Sequence, residues 1–223
     1  LGKEHPDTLL GVNNLAFLYS DKDDLEQAET MHKRCLEGRE RVLGKEHPDT
    51  LISLSNLAEV HSEKGDLEQA ANLYKQCLEA RDRIQGEEDP STMITCFNLA
   101  ECLSQMERLE EAIILRRKEL TWCRREKGNH DLSTLSSINA LAIDLREHGE
   151  LKEAESLFRE LIAIRKERLS PEDFGIGRAL GGLAKTLEKA GQLKEALIYT
   201  QQCLDHRLQY EGKESFYTNR NRL

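Results

Sequence analysis

An internal repeat of 42 residues constrains this chain more than any other feature of its sequence. The octapeptide that begins at Leu1, Leu-Gly-Lys-Glu-His-Pro-Asp-Thr, returns unchanged at Leu43. Weaker copies of the same segment begin at Gln85, Lys127 and Leu169. A fixed period of about 20 to 50 residues is typical of arrays built from one supersecondary unit. We therefore predict a repeat architecture rather than a single layered core.

A second landmark fixes the register of these copies. Each copy is followed by a Leu-x-x-Ala segment, and the five segments begin at Leu25, Leu67, Leu109, Leu151 and Leu193. Together the two landmarks predict one domain over residues 1–223, made of five repeats and a fragment, at 1–42, 43–84, 85–126, 127–168, 169–210 and 211–223.

Within each repeat the apolar residues recur with the period of an α-helix. In the second repeat, one series at i, i+3, i+4 and i+7 predicts a helix over about 49–64, and another predicts a longer helix over about 66–84. Gly65 separates the two helices, and Asp49 or Thr50 is placed to cap the first of them. Each repeat is therefore predicted to be a helix-turn-helix hairpin that buries its apolar face only by stacking on its neighbours. The predicted fold class is all-α.

Three segments of the repeat carry a family resemblance: 13–16 (Asn-Asn-Leu-Ala), 25–29 (Leu-Glu-Gln-Ala-Glu) and the connector 43–50. The repeat that they define resembles the long tetratricopeptide repeat (TPR) of kinesin light chains. The resemblance implies a right-handed superhelical solenoid of five TPR hairpins plus a fragment, with a role in protein binding rather than catalysis. It also implies that the first helix of each hairpin lines a concave groove, which holds a partner protein or an extended peptide.

The first helix of each repeat has two faces with different expected roles. In the first repeat, Val12, Leu15, Ala16 and Tyr19 are expected to pack between layers. The positions equivalent to 10, 13, 14, 17 and 21 form the other face, here called the first-helix face, which the resemblance places in the groove. The candidate binding residues on or beside it are Asn13, Asn14, Phe17, Asn56, Glu59, Phe97, Asn98, Glu101, Asn139, Arg146, Arg178, Lys185 and Lys189.

Asn14, Asn56 and Asn98 occupy the same place in three successive repeats. An amide side chain offers both a donor and an acceptor, which suits the backbone of an extended peptide. The alternative is that these side chains tie adjacent hairpins together. Ala140 and Gly182 interrupt the row, so the last two repeats are not expected to hold a backbone in the same way.

Charge divides the first-helix face into two parts. The first three repeats carry carboxylates such as Glu59 and Glu101, whereas the last two carry Arg178, Lys185 and Lys189. A complementary ligand would have acidic residues toward the C-terminal end of the array and basic ones toward its start. The alternative is that these charges are simply solvated.

The composition argues against several classes of partner. The formal net charge of −9 at pH 7 argues against a sequence-independent grip on nucleic acid, which needs a broad basic face. The sequence has no apolar run long enough to span a bilayer and no signal-peptide core at its start. We expect a cytoplasmic protein without nucleic-acid or membrane partners, monomeric or weakly self-associating.

Cysteine and histidine give no sign of a catalytic or metal site. Cys35, Cys77 and Cys203 share one repeat position, which indicates packing, and the chain has no Cys-x-x-Cys pair. Six free thiols suit a reducing cytosol. His32 lies one helical turn from Cys35, but no further ligands converge on the two. The sequence therefore predicts no cofactor, no metal and no catalytic residue.

Two places depart from the repeat pattern. Gly181 and Gly182 lie inside a predicted helix, where each costs about 1 kcal/mol relative to alanine. Either another backbone approaches closely there or the helix frays. Arg116 and Glu119 replace residues that are apolar or small elsewhere, so this layer packs less tightly or the two side chains pair at i, i+3.

Three functions are compatible with these observations. The first is a protein–protein interaction scaffold or adaptor that binds a peptide segment in its groove. The second is a ligand-sensing or regulatory repeat segment of a larger nucleotide-binding signalling protein. The third is a self-associating structural array, for which light scattering at high concentration is the simplest test.

Removing two amides of this row and one basic residue together tests the groove hypothesis. A combined Asn56→Ala, Asn98→Ala and Arg178→Ala variant should bind its partner at least about tenfold more weakly in a pull-down titration, because backbone and charge contacts are both lost. Unchanged capture of the partner by this triple variant would contradict the groove hypothesis.

Overall fold

The computed structural model of the chain describes residues 2–168, 170 and 173–210, and over these residues it is all-α. Ten helices follow one another in sequence as five hairpins, as predicted. They are α1 Pro6–Ser20, α2 Leu25–Leu43, α3 Pro48–Glu63, α4 Leu67–Ile84, α5 Pro90–Gln105, α6 Leu109–Glu126, α7 Leu132–His148, α8 Leu151–Arg168, α9 Phe174–Lys189 and α10 Leu193–Tyr210.

The chain divides into two compact units, an N-terminal unit of residues 1–115 and a C-terminal unit of residues 116–223. In the N-terminal unit each helix from α1 to α5 packs on the next, and in the C-terminal unit the same holds from α7 to α10. The repeat starts at Leu1 and Leu169 and the fragment 211–223 lie outside the described residues. The single domain over 1–223 stays a prediction.

The first helix of the second repeat, α3, begins one residue earlier than predicted, and its capping residue differs. The expectation that Asp49 or Thr50 caps α3 was wrong: His47 is the N-cap, and its Nδ1 accepts a hydrogen bond from the Asp49 backbone N–H at 3.2 Å. Pro48 is the first helical residue, a position that needs no backbone donor. The Thr50 hydroxyl instead donates to the Gly44 carbonyl at 2.8 Å, which ties the connector to the helix.

The turn inside each hairpin requires a left-handed backbone. Gly65, Gly149 and Gly191 adopt φ values of 80°, 100° and 75° there, and Asp23 and Glu107 take the same place with φ values of 62° and 60°. A residue with a Cβ atom is strained in this region, more so for glutamate than for aspartate. The turn geometry is thus kept even where the glycine is absent.

An arginine near the end of the second helix fastens one hairpin to the next in the N-terminal unit. The Arg39 guanidinium donates to the Asp49 carbonyl at 2.8 Å and to the Ser53 hydroxyl at 2.9 Å. Arg81 repeats this arrangement with the next hairpin, where it donates to the Thr95 hydroxyl at 2.8 Å. The polar contacts therefore follow the same 42-residue register as the apolar core.

One expected interlayer residue is exposed. Val12 and Ala16 are buried as predicted, but Leu15 is 42% exposed, which corrects the expectation for that residue. The equivalent residues Leu57 and Leu99 are each 6% exposed. In their hairpins the second helix of the preceding hairpin packs against the first helix, and no described helix precedes α1.

Arg116 and Glu119 do not pair with each other, contrary to one expectation, and both are buried. Arg116 donates to the Asp144 carboxylate on α7 at 3.2 Å, where the two side chains are 2% and 3% exposed. Glu119 accepts a hydrogen bond of 2.6 Å from the Ser137 hydroxyl, also on α7. The departures from the repeat pattern are therefore matched by polar residues on the facing helix α7.

The buried pair should be sensitive to the loss of one partner and tolerant of a matched replacement. Asp144→Asn should lower the free energy of unfolding by about 3 kcal/mol, because it leaves the Arg116 charge poorly compensated in the core. A double variant, Arg116→Phe with Asp144→Thr, copies the residues at the equivalent places, Phe158 and Thr186, and should recover most of the loss. Urea unfolding followed by circular dichroism measures both.

The neighbouring Arg117 provides the control. Its ion pair with Glu153 is exposed, so Arg117→Met should cost less than about 1 kcal/mol. A cost for Asp144→Asn no larger than that of Arg117→Met would show that the buried pair is not important for stability.

Candidate functional site

An exposed apolar row runs along the first-helix face of the N-terminal unit. Leu10, Ile52 and Ile94 lie at the same repeat position on α1, α3 and α5 and are 51%, 44% and 61% exposed. Their exposure contrasts with the residues one position earlier, Leu9 and Leu51, which are 3% and 2% exposed. The same surface is therefore apolar and accessible on three successive first helices.

The predicted amide row beside it is partly engaged within the protein. Asn56 donates to the Asn13 side-chain oxygen at 3.0 Å, and Asn13 is buried. Asn98 hydrogen-bonds the Tyr74 hydroxyl of α4, whereas Asn14 is exposed. Both contacts join adjacent hairpins, which is the alternative role that the sequence analysis left open for these side chains. Since an amide has several hydrogen-bonding positions, one contact does not use its whole capacity. Peptide binding by this row stays a prediction.

The remaining candidates of the N-terminal unit lie along the same face. Phe17 is exposed, and its ring contacts His32 edge-on at a centroid distance of 5.2 Å. Phe97 is half-buried. Glu59 and Glu101 are exposed, and partial desolvation together with the nearby Glu63 carboxylate raises the pKa of Glu59. The face thus combines apolar, amide and acidic groups.

In the C-terminal unit the candidate residues surround a cleft of about 570 Å³. Asn139, Arg146, Arg178 and Lys185 all line it, so α7 and α9 bring together four of the five residues predicted there. Lys189 is absent from the lining and instead forms an ion pair with Glu147. The cleft also reaches α8 and α10, which the sequence prediction did not include.

Two glycines let α9 pack closely on its neighbours beside this cleft. Gly181 and Gly182 lie at the places that carry Asn13 and Asn14 in the first repeat, and α9 is continuous through them. A Cβ atom on Gly182 would lie 2.4 Å from the Phe158 ring. Neither of the two expectations for these glycines was right, because the group that approaches is an aromatic ring rather than a backbone, and the helix is not frayed.

The cations of the C-terminal unit fall into two groups. The Glu147 carboxylate accepts hydrogen bonds from Arg146 at 2.9 and 2.7 Å and also pairs with Lys189. The hydrogen bond with Lys189 is the main cause that lowers the pKa of Glu147. Arg178 and Lys185 are exposed and have no ion pair with any residue that the structure describes.

The sequence prediction missed five lining residues that belong to second helices: Phe158, Thr200, Cys203, Leu204 and Arg207. Two of them, Cys203 and Phe158, lie directly against Gly181 and Gly182. The signal that could have found them is the Gly181-Gly182 pair, which marked a close approach without identifying the group involved.

The described residues give no support for a metal site, an exposed thiol or a membrane span. No group of three or more His, Cys, Asp or Glu side chains is arranged to hold a metal ion there. All six cysteines are free and buried. Burial lowers the pKa of His32 to about 4, so this imidazole is neutral at neutral pH. None of the described helices has the length and apolar character needed to cross a membrane.

Comparisons with known proteins identify the repeat. A family model described as tetratricopeptide repeat matches residues 6–83 and 91–167. No curated protein matches the chain. Among solved structures, the chain is similar to a Podosopora anserina protein that is named for the kinesin light chain and whose own TPR-like repeats are nearly identical to one another. The identity is 23%, and the TM-score is 0.83 over 92% of this chain and 98% of that one.

Two further solved structures share the fold. BtubC (BKLC) from P. vanneervenii is 22% identical, with a TM-score of 0.79 over 92% of this chain and 82% of that one. YrrB, described as a TPR protein with an unusual peptide-binding site, is 17% identical, with a TM-score of 0.63 over 92% of this chain and 88% of that one.

The two glycines of the cleft should respond in opposite directions to the same substitution. Gly182→Ala should destabilise the C-terminal unit by about 1–3 kcal/mol, because the new Cβ displaces the buried Phe158 ring. Gly181→Ala should be neutral or should stabilise by up to about 1 kcal/mol, because its Cβ would meet only the Cys203 sulfur at 3.4 Å and alanine favours the helix. Thermal unfolding of the two variants measures this difference. Equal melting temperatures would contradict the role given to Gly182.

Proposed function

This chain belongs to the tetratricopeptide repeat family, and on that premise we propose that it is a scaffold that binds a partner protein or an extended peptide along its first-helix faces. The observation that carries the proposal is the row of exposed apolar side chains at Leu10, Ile52 and Ile94. Scattered apolar residues are normal on a protein surface, whereas these three recur at one position of three successive repeats.

The chemistry of the face suits an extended chain. Such a ligand presents backbone N–H and C=O groups along its length and side chains at regular intervals. The amides of Asn14, Asn56 and Asn98 supply donors and acceptors beside the apolar row. The ligand's side chains would then lie against Leu10, Ile52 and Ile94, while its backbone lies along the amides.

We infer that the function of this surface is binding rather than catalysis. Its polar groups are amides and exposed carboxylates, and the six thiols of the chain are buried. The solved structure of YrrB, which shares the fold, is described as having a peptide-binding site. Peptide binding is therefore a use that this type of repeat supports.

A matched pair of isoleucines tests the proposal. Ile94 is 61% exposed on the first-helix face of α5, and Ile114 is 68% exposed on α6, the second helix of the same repeat. Peptides selected on the purified chain from a random library should bind Ile94→Asp at least about tenfold more weakly than wild type, because an apolar contact is replaced by a desolvated charge. Fluorescence polarisation with each labelled peptide measures the affinity.

Ile114→Asp serves as the control and should bind the same peptides with unchanged affinity. Melting temperatures of both variants verify that the fold is intact. Failure to select any peptide, or equal affinity of the two variants, would overturn the placement of the binding surface on the first-helix face.

A further inference from the structure

The first described helix, α1, carries an exposed leucine at a position that is buried in every other repeat. Leu18 is 56% exposed, whereas the residues at the same position of the other four repeats are 2% exposed or less. They are Val60, Cys102, Asp144 and Thr186. The side of α1 that corresponds to the interface with a preceding hairpin is therefore uncovered.

The last described helix, α10, shows the complementary feature. Leu204 is 49% exposed, and the residues at its position on the four earlier second helices are 9% exposed or less. They are Leu36, Leu78, Leu120 and Ile162. Elsewhere a second helix is covered by the next first helix, as α2 packs on α3, α4 on α5 and α8 on α9. One chain therefore presents both sides of the interface that joins its own hairpins.

The cleft of the C-terminal unit lies where a following first helix would pack. Four of its lining residues occupy repeat positions whose side chains contact the next first helix in the N-terminal unit: Gly181, Thr200, Cys203 and Arg207. At these positions Asn13 and Cys35 contact α3 side chains at 3.0 and 3.5 Å, and Arg39 donates to an α3 carbonyl at 2.8 Å. Tyr74 hydrogen-bonds a side chain of α5. The cleft thus has the lining of a binding site for a first helix.

A glycine completes the uncovered side of α1. Gly11 precedes Leu15 and Leu18 by four and seven residues, which places the three on one face of the helix. The other repeats carry small residues at the position of Gly11, and these are 1% exposed or less: Ser53, Thr95, Ser137 and Ala179. Gly11 is exposed, and a Cβ atom on it would have no described neighbour within 4 Å. This face of α1 therefore suits close packing against another helix.

The charges of the two surfaces are compatible. The cleft is lined by four cations, Arg146, Arg178, Lys185 and Arg207, and the only carboxylate among its described lining residues is that of Glu188. In α1 the only charged side chain is that of Asp7. Like charges that face each other oppose association. An α1 helix brings no basic side chain to this cationic surface.

We propose that copies of this chain associate head to tail, with α1 of one copy bound in the cleft against α9 and α10 of the next. The contact continues the interface of α2 with α3: Leu15 and Leu18 cover Leu204, and Gly11 lies against Cys203. It goes beyond the proposed function because it uses the end surfaces rather than the first-helix face. Since the two surfaces differ, each copy binds one neighbour at each end, and association is not limited to a dimer.

Two substitutions, one on each surface, test the proposal by sedimentation equilibrium. The average mass of the wild-type chain should rise with concentration above the 25.5 kDa of one chain. Leu18→Arg and Leu204→Arg should each weaken association at least about tenfold, because each places a charge in an apolar contact. An equimolar mixture of the two variants should form a complex of two chains. In that complex the intact α10 of the Leu18→Arg chain binds the intact α1 of the Leu204→Arg chain.

Leu10→Arg and Ile198→Arg are the matched controls. Leu10 lies on α1 and is 51% exposed, and Ile198 lies on α10 and is 56% exposed. Both positions are exposed in all five repeats, so neither belongs to the interface between hairpins. The two control variants should associate as the wild type does. Gly11→Ala should also associate, whereas Gly11→Arg should not, because this position accepts only a small side chain.

Melting temperatures verify that each variant is folded. A wild-type chain that keeps the mass of one chain at every concentration, or a mixture of the two variants that does so, would overturn the proposal. Equal effects of Leu204→Arg and Ile198→Arg would overturn the placement of the contact on α10. Peptides selected for the proposed function should bind Leu18→Arg with unchanged affinity, so the two proposals can fail independently of each other.

Discussion

The packing of each second helix under the next hairpin is the interaction on which the rest of the structure depends. Leu36, Leu78 and Ile162 lie at one repeat position and are 9%, 9% and 7% exposed, because a following first helix covers them. Leu204 lies at the same position on α10, which no later described helix covers, and it is 49% exposed. A hairpin of this size cannot bury that side by itself. A first helix therefore packs against the second helix of its own hairpin and against that of the preceding one, and its remaining side stays exposed.

This arrangement explains why the fold could be predicted so fully from the sequence. Every element is specified five times, so that a weak signal in one repeat is supported by the same signal in another. The helix ends of the second repeat were placed within about one residue, and Gly65 was correctly placed between its two helices. The errors were local: His47 rather than Asp49 or Thr50 caps α3, because proline begins the helix. Leu15 is exposed because burial at that position depends on a preceding hairpin.

Positions that are unique to one repeat were harder to predict than positions that recur. The Arg116–Asp144 pair joins residues 28 apart on facing helices, and neither residue alone indicates its partner. Phe158 and Arg207 were missed for a similar reason, since they belong to second helices, whereas the candidate residues were taken from first helices. A single sequence shows that a residue departs from the pattern. It does not show which residue compensates, because compensation takes place across helices.

The glycine pair shows how one change within a repeat can alter the chemistry of its surface. Where Asn14 and Asn56 stand, the first-helix face is covered by amide groups, and its apolar contacts lie in a shallow row. Where Gly182 stands, the backbone of α9 packs directly against the fully buried Phe158 ring, and cations line the cleft beside it. The loss of helix propensity at Gly182 is offset by the packing of that ring. Since Phe158 is also part of the core of its hairpin, a side chain at position 182 would disturb that core as well as the surface of the cleft.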